Sequence, residues 1–199
     1  MIMPVKNIII AGVGGQGTLL ASKMMGSAFI EKGYDVKVSE VHGMSQRGGS
    51  VVTYVRYGDK VYSPLIDRGE ADMIIAFEQL EAARWLSYLK PGGVLIASTQ
   101  KIDPMPVIMG KTDYPENILE EIKEKGVKVI AVDALKLAEQ AGSAKSTNVV
   151  LLGVAAHFLG FDREMWEQVV RSSVPPKTVN INEKAFELGY AAMNNQQGE

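Results

Sequence analysis

The chain has 199 residues, a formal net charge of -2 and 46% hydrophobic residues, which suits one ordinary domain with a sizeable core. Near-balanced charge gives no electrostatic ground for a nucleic-acid partner or an anionic membrane surface, and no apolar run approaches bilayer-spanning length. The absence of cysteine excludes disulfides, thiolate nucleophiles and cysteine-ligated iron–sulfur clusters together. His42 and His157 are the two histidines, neither with a second histidine at metal-ligand spacing, so no metal site is expected.

Lys6 precedes a short apolar run that glycines interrupt, with no small-residue cleavage site after it. This reads as a strand rather than a signal peptide, and a cytoplasmic location is expected. Ile8-Ile9-Ile10-Ala11 runs directly into Gly12-Val13-Gly14-Gly15-Gln16-Gly17. A β-branched run, a glycine turn and then a helix-forming segment over 18–30 make the opening of a nucleotide-binding βαβ unit. Gly12, Gly14 and Gly17 fill the glycine positions of G-x-G-x-x-G, where the backbone turns tightly and a Cβ would block close approach to an anion. Two readings stay open: an anion site, or a turn that only packs the first helix on the sheet.

Gly33 ends that helix, 35–40 reads as the second strand, and 41–49 is a polar, glycine-rich loop. Residues 50–56 and 60–63, joined across Gly58-Asp59, predict a β-hairpin. A buried strand over 73–77 and a helix over 79–89 come next, with Pro91-Gly92-Gly93 ending the helix before a strand over 94–98. Residues 100–114 form a long surface connection. A surface helix over 115–125 directs Ile118, Leu119 and Ile122 inward, and 127–132 is a further strand. Helices over 135–141, 148–159, 163–172 and 181–193 complete the chain, with Asn148 as a cap. The expected fold is α/β: a Rossmann-like, doubly wound, mainly parallel sheet with a β-hairpin embellishment and a helical C-terminal third, one domain over 1–199.

Glu40 stands about twenty residues past the glycine turn, where a dinucleotide-binding unit places its ribose-binding acid. That favours NAD, although the loop after it offers no hydride-transfer group. In Gln46-Arg47-Gly48-Gly49 a guanidinium and backbone amides can hold a phosphate or carboxylate together; the alternative is an arginine paired with a surface acid. His42, in the same loop, is a candidate acid–base group or an ordinary loop histidine. His157 lies among apolar neighbours and reads as packing.

Together these segments resemble a known family. Gly12 to Gly17, Ser39-Glu40-Val41-His42-Gly43-Met44-Ser45-Gln46-Arg47-Gly48-Gly49 and Ser63-Pro64-Leu65-Ile66 look like the cysteine-free, gamma-type small subunit of the 2-oxoacid:ferredoxin oxidoreductases. Glu70-Ala71-Asp72, Glu81-Ala82-Ala83-Arg84, Val179-Asn180-Ile181-Asn182 and Ala185-Phe186 match as well. The 42–47 stretch is similar to the indolepyruvate branch, whose small subunit is called beta; pyruvate, 2-ketoisovalerate and 2-oxoglutarate gamma subunits more often carry a Tyr-Gly-Pro-Glu type loop there.

The resemblance implies a subunit of a thiamine-dependent enzyme that oxidatively decarboxylates aryl pyruvates to acyl-coenzyme A and reduces ferredoxin. It places thiamine diphosphate, magnesium and the iron–sulfur clusters on a large alpha subunit, with coenzyme A as co-substrate and no cofactor on this chain alone. No Gly-Asp-Gly followed by paired asparagines occurs at thiamine-motif spacing. Ligand or interface binding falls to Gly12, Gly14, Gly15, Gln16, Gly17, Gln46, Arg47, Gly48 and Gly49, because the first two strands of a doubly wound sheet are neighbours and their loops converge on one crevice. The alternatives are a gamma subunit of a pyruvate, 2-ketoisovalerate or 2-oxoglutarate enzyme, and a self-sufficient nucleotide-binding protein of NAD type.

Overall fold

Successive side chains of a strand point to opposite faces. Along Lys6–Val13 (β1), Ile8 and Ile10 enter one core while Ile9 and Ala11 enter another. All four are buried, so both faces of the sheet are covered, as a doubly wound arrangement demands. The computed structural model describes residues 3–40 and 49–194. The remaining strands are Asp35–Glu40 (β2), Ser50–Gly58 (β3), Ala71–Ala76 (β4), Leu89–Ser98 (β5) and Lys128–Val132 (β6). They form one six-stranded sheet in the order β2-β3-β1-β4-β5-β6. The β1–β4, β4–β5 and β5–β6 pairs are parallel, and β3 lies antiparallel to both β1 and β2.

The helices are Thr18–Glu31 (α1), Gln79–Trp85 (α2), Met105–Ile108 (α3), Ile118–Glu124 (α4), Ala134–Ala141 (α5), Thr147–Leu159 (α6), Arg163–Ser173 (α7) and Val179–Asn194 (α8). Met24, Met25 and Phe29 of α1, Ala138 of α5, Trp166 of α7 and Phe186 of α8 share the core of Ile8. Ala82 of α2 and Ile118, Leu119 and Ile122 of α4 share that of Ile9. Residues 149–156 of α6 are buried all round, as befits a helix enclosed by others.

The hairpin predicted across Gly58-Asp59 is not formed. One edge of β3 is taken by β1 and the other by β2, so residues 60–63 have no strand edge to pair with. They leave the sheet instead, held by the Val61 N–H to Asp35 Oδ2 (2.9 Å) and by the Arg56 guanidinium on the Ser63 carbonyl (2.9 Å). The antiparallel embellishment is β2–β3. Pro91-Gly92-Gly93 also lies elsewhere than expected. Past Trp85 a single 3-10 turn, Leu86–Tyr88, leads straight into β5. Ala71 pairs with Leu89 but Met73 with Val94, so residues 90–93 bulge from the start of a strand rather than end a helix.

Two glycines let α6 and α8 touch backbone to backbone. A Cβ on Gly153 would lie 2.3 Å from the Phe186 carbonyl oxygen, and one on Gly189 would lie 2.0 Å from that of Val150. Neither oxygen belongs to a side chain that can swing away, so an added methyl forces the helices apart, at about 1–3 kcal/mol or more. Gly189→Ala and Gly153→Ala should each lower the melting temperature by several degrees; wild-type melting of both variants would contradict this packing.

Asp72 ties the start of β1 to β4. Its Oδ2 accepts from the Asn7 N–H (2.8 Å), and its Oδ1 pairs with Lys6 and Lys90. Burial pushes the carboxyl up, but the hydrogen bonds from Lys90 and the Asn7 N–H, with the charges of Lys6 and Lys90, outweigh it and hold the group below its ordinary value. A depressed folded value stabilises fully above the unfolded pKa of about 3.9 and is lost as pH falls through the folded one. Asp72→Asn should therefore melt below wild type at neutral pH, with a gap that closes on acidification below about pH 4. A gap independent of pH would count against the assignment.

Candidate functional site

The glycine turn divides between the two readings left open by its sequence. A Cβ on Gly12 would lie 3.1 Å from the Cβ of Phe77 and 2.9 Å from Gln16 Oε1. One on Gly17, which has φ 83° and precedes α1, would lie 2.8 Å from Asn148 Nδ2. These two glycines serve packing. Gly15, at φ 101°, has nothing within 4 Å of such an atom; it is here that backbone lies open to a ligand. The Thr18 and Leu19 amides at the start of α1 have no side-chain cap and, as the first N–H groups of a helix, no intrahelical acceptor.

Gln16 spends its amide inside the protein. Its Oε1 accepts from the Val13 N–H (2.7 Å), and its Nε2 donates to the Phe77 carbonyl (3.0 Å) and to Gln100 Oε1 (3.1 Å). One side chain thereby joins the carboxyl ends of β1, β4 and β5.

His42, Gln46, Arg47 and Gly48 lie outside the described residues, whereas Gly49 lies within them. The convergence of the two glycine-rich segments has a different origin from the one expected, because β1 and β2 are not neighbours: β3 stands between them. Since β3 runs antiparallel to β1 and pairs Ser50 with Val13, the chain arrives beside the glycine turn, and the Gly14 N–H donates to the Gly49 carbonyl at 2.9 Å. Glu81 of α2 secures the same point. Its buried carboxylate accepts from Ser50 Oγ and lies 3.4 Å from the Arg84 Nε. Burial is the main reason that the Glu81 carboxyl titrates above its ordinary value.

The intervening strand also removes the geometry that favoured NAD. Two strand spacings, about 10 Å, separate β2 from β1, and Glu40 Oε1 accepts from Ser22 Oγ of α1 at 3.2 Å. His157 is half-buried, its ring 5.6 Å from those of Phe158 and Tyr190, in keeping with packing.

A cleft of about 390 Å³ opens at the carboxyl edge beside Gly15, Gln16 and Gly17, completed by Gln100, Leu135, Lys145 and Thr147. Lys145 is its exposed cation, in the short turn Ala144–Ser146 just before α6. The Thr147 hydroxyl is occupied by the Ala144 carbonyl (2.8 Å). Cation, helix amides and open glycine backbone suit an anionic group. Sequence reasoning missed Gln100, Lys145 and Thr147. Asn148 was expected only as a cap, but its Nδ2 donates to the Gly17 carbonyl at 3.2 Å, joining α6 to the glycine turn. The available signal was the polar run Lys145-Ser146-Thr147-Asn148 directly before an all-apolar helix.

Gln16→Leu keeps the bulk but strips the Val13 N–H, the Phe77 carbonyl and Gln100 of their partner, and should cost roughly 1–3 kcal/mol by urea unfolding. Gln16→Glu opposes a carboxylate to the Phe77 carbonyl, which raises its folded pKa. Its stability should be greater at low pH and fall as pH rises. Wild-type stability in both variants would show the staple to be idle.

A family model described as pyruvate ferredoxin/flavodoxin oxidoreductase matches residues 7–192. The indolepyruvate oxidoreductase subunit IorB of Thermococcus kodakarensis is 47% identical over 96% of this chain and 98% of its own length. That of Pyrococcus horikoshii is 49% identical over 94% and 95%. Among solved structures, the gamma subunit of a keto/oxoacid ferredoxin oxidoreductase from Geobacter sulfurreducens superposes with a TM-score of 0.70 at 27% identity, covering 94% of this chain and 97% of that one. Matched by the family model over 7–192 and by relatives at 47% and 49% identity over nearly the whole length, the chain belongs to the pyruvate ferredoxin/flavodoxin oxidoreductase family.

Proposed function

We propose that this chain is the small, cluster-free subunit of an indolepyruvate-type 2-oxoacid:ferredoxin oxidoreductase. The observation that carries the reading is identity of 47% and 49%, over nearly the whole length, to two subunits of that name. The reaction converts an aryl pyruvate and coenzyme A to acyl-coenzyme A and carbon dioxide, and two electrons pass to ferredoxin. A chain without cysteine has no thiolate for a cluster, and the described residues contain no group of three or more side chains able to hold a metal. Thiamine diphosphate with magnesium, and iron–sulfur clusters, on a large alpha subunit would supply decarboxylation and electron transfer.

The share of this chain is binding and orientation. Its carboxyl edge faces the partner's reaction region, and the cleft at Gly15 takes an anionic group of coenzyme A. Lys145 and the first amides of α1 hold that group, and Arg47 is assigned to the same anion. Gln16, Glu81 and Asn148 keep the turn, the loop end and α6 in register. No helix among the described residues is long and apolar enough to cross a membrane; this reading places the work in the cytoplasm, with neither membrane nor nucleic acid as a partner.

Purified alone, the chain should be colourless, carry no stoichiometric iron and turn over no 2-oxoacid. Reconstituted with the large subunit, it should support turnover of indolepyruvate ahead of pyruvate and 2-ketoisovalerate. One cluster's worth of iron on the isolated chain, or activity without a partner, would overturn the reading. Within the complex, Lys145→Ala and Arg47→Lys should each raise the KM for coenzyme A about tenfold or more with kcat largely retained. Normal melting with unchanged kinetics in both variants would remove these residues from the site.

A further inference from the structure

At the opposite edge of the sheet, where β1, β4, β5 and β6 begin, a cavity of about 400 Å³ opens between the strand starts and the end of α6. Lys6, Lys90 and Lys128 line it against a single carboxylate, Asp72. That carboxylate is fully used: Oδ1 takes Lys6 Nζ (3.4 Å) and Lys90 Nζ, and Oδ2 takes the Asn7 N–H (2.8 Å). Holding the strand starts together accounts for Lys6 and Lys90 but not for Lys128. The Lys128 ammonium has no carboxylate partner among the described residues and stands 5.1 Å from the centre of the Phe158 ring, which also lines the cavity.

Each ammonium carries three donors, and because Lys6 and Lys90 are partly exposed and Lys128 exposed, the donors not engaged by Asp72 are held by water that an anion can displace. Two positive charges are in surplus. The carboxyl end of α6 contributes only about half a negative charge against them. Part of the wall is apolar, formed by Phe158, Leu159 and the aliphatic side chains of Ile8, Met73 and Val94, and the volume lies within the range of about 300–1,000 Å³ that takes small organic ligands.

We infer that this cavity binds a small carboxylate carried on an aromatic body. The carboxylate lies between Lys90 and Lys128, and the ring lies against Phe158 and the aliphatic side chains of the strand starts. This does not rest on the assignment of the carboxyl edge, and the isolated chain is enough to test it. The probe is 2-naphthoate, titrated into the purified protein by calorimetry, with the neutral isostere 2-naphthamide alongside and inorganic phosphate as the anion without an apolar body. Naphthoate should bind saturably at one equivalent, and both other compounds at least tenfold more weakly. Lys128→Ala, which breaks no ion pair, should weaken naphthoate binding about tenfold or more without lowering the melting temperature. Lys90→Ala should weaken it similarly, while Lys6 still pairs with Asp72. No saturation by roughly 10 mM, naphthamide or phosphate binding as tightly as naphthoate, or unchanged affinity in the two lysine variants would each overturn the inference.

Discussion

A single amide, that of Gln16, sets the geometry on which the carboxyl edge of this protein depends. The parallel strands β1, β4 and β5 end side by side, and Gln16 bonds groups at or just past all three ends. The Gln16 oxygen satisfies the Val13 N–H and its nitrogen satisfies the Phe77 carbonyl and Gln100. Buried polar groups of this kind are costly when unmade, so the turn holds one conformation. Gly12 is the corollary: any side chain there would collide with Gln16 and Phe77. Asn148 extends the constraint to a second helix of the same layer by fixing α6 against the Gly17 carbonyl. The open backbone at Gly15 is thus presented by a rigid frame, which is what an anion-binding surface requires.

The second constraint is the placement of β3. Inserted antiparallel between β1 and β2, it places Gly49, just before its first residue, beside the glycine turn. It also moves Glu40 a further strand away. A glycine-rich turn that resembles a dinucleotide fingerprint is in this way combined with a second strand too distant to supply the ribose contact. The same sequence pattern supports different chemistry because function lies in the site rather than in the fold.

Much of this architecture was legible in the residues. The run Ile8-Ile9-Ile10-Ala11 before the glycine turn located β1, and the apolar periodicity of Ile118, Leu119 and Ile122 located α4 and its buried face. Local pattern located elements but not their pairing. Gly58-Asp59 is a sound hairpin signal, defeated because both edges of β3 were already occupied, a fact that only the assembled sheet contains. Gly153 and Gly189 gave no signal, since their necessity comes from a contact between helices. At the site, the glycine turn was evident, but its division of labour was not. Gln16 looked like a ligand residue because nothing in a sequence shows that Phe77 and Gln100 converge on it. Lys145 and Thr147 come from a segment more than 120 residues later, and no local motif ties them to Gly15.

The central claim is that the carboxyl edge, framed by Gln16, faces the large catalytic subunit. Hydrogen–deuterium exchange of this chain, free and in the reconstituted complex, tests it directly. The account predicts that the complex protects residues 14–20 at the glycine turn, 99–104 after β5 and 143–148 before α6, while the starts of β1, β5 and β6 exchange as in the free chain. Protection confined to those strand starts, with the glycine turn unchanged, would contradict it.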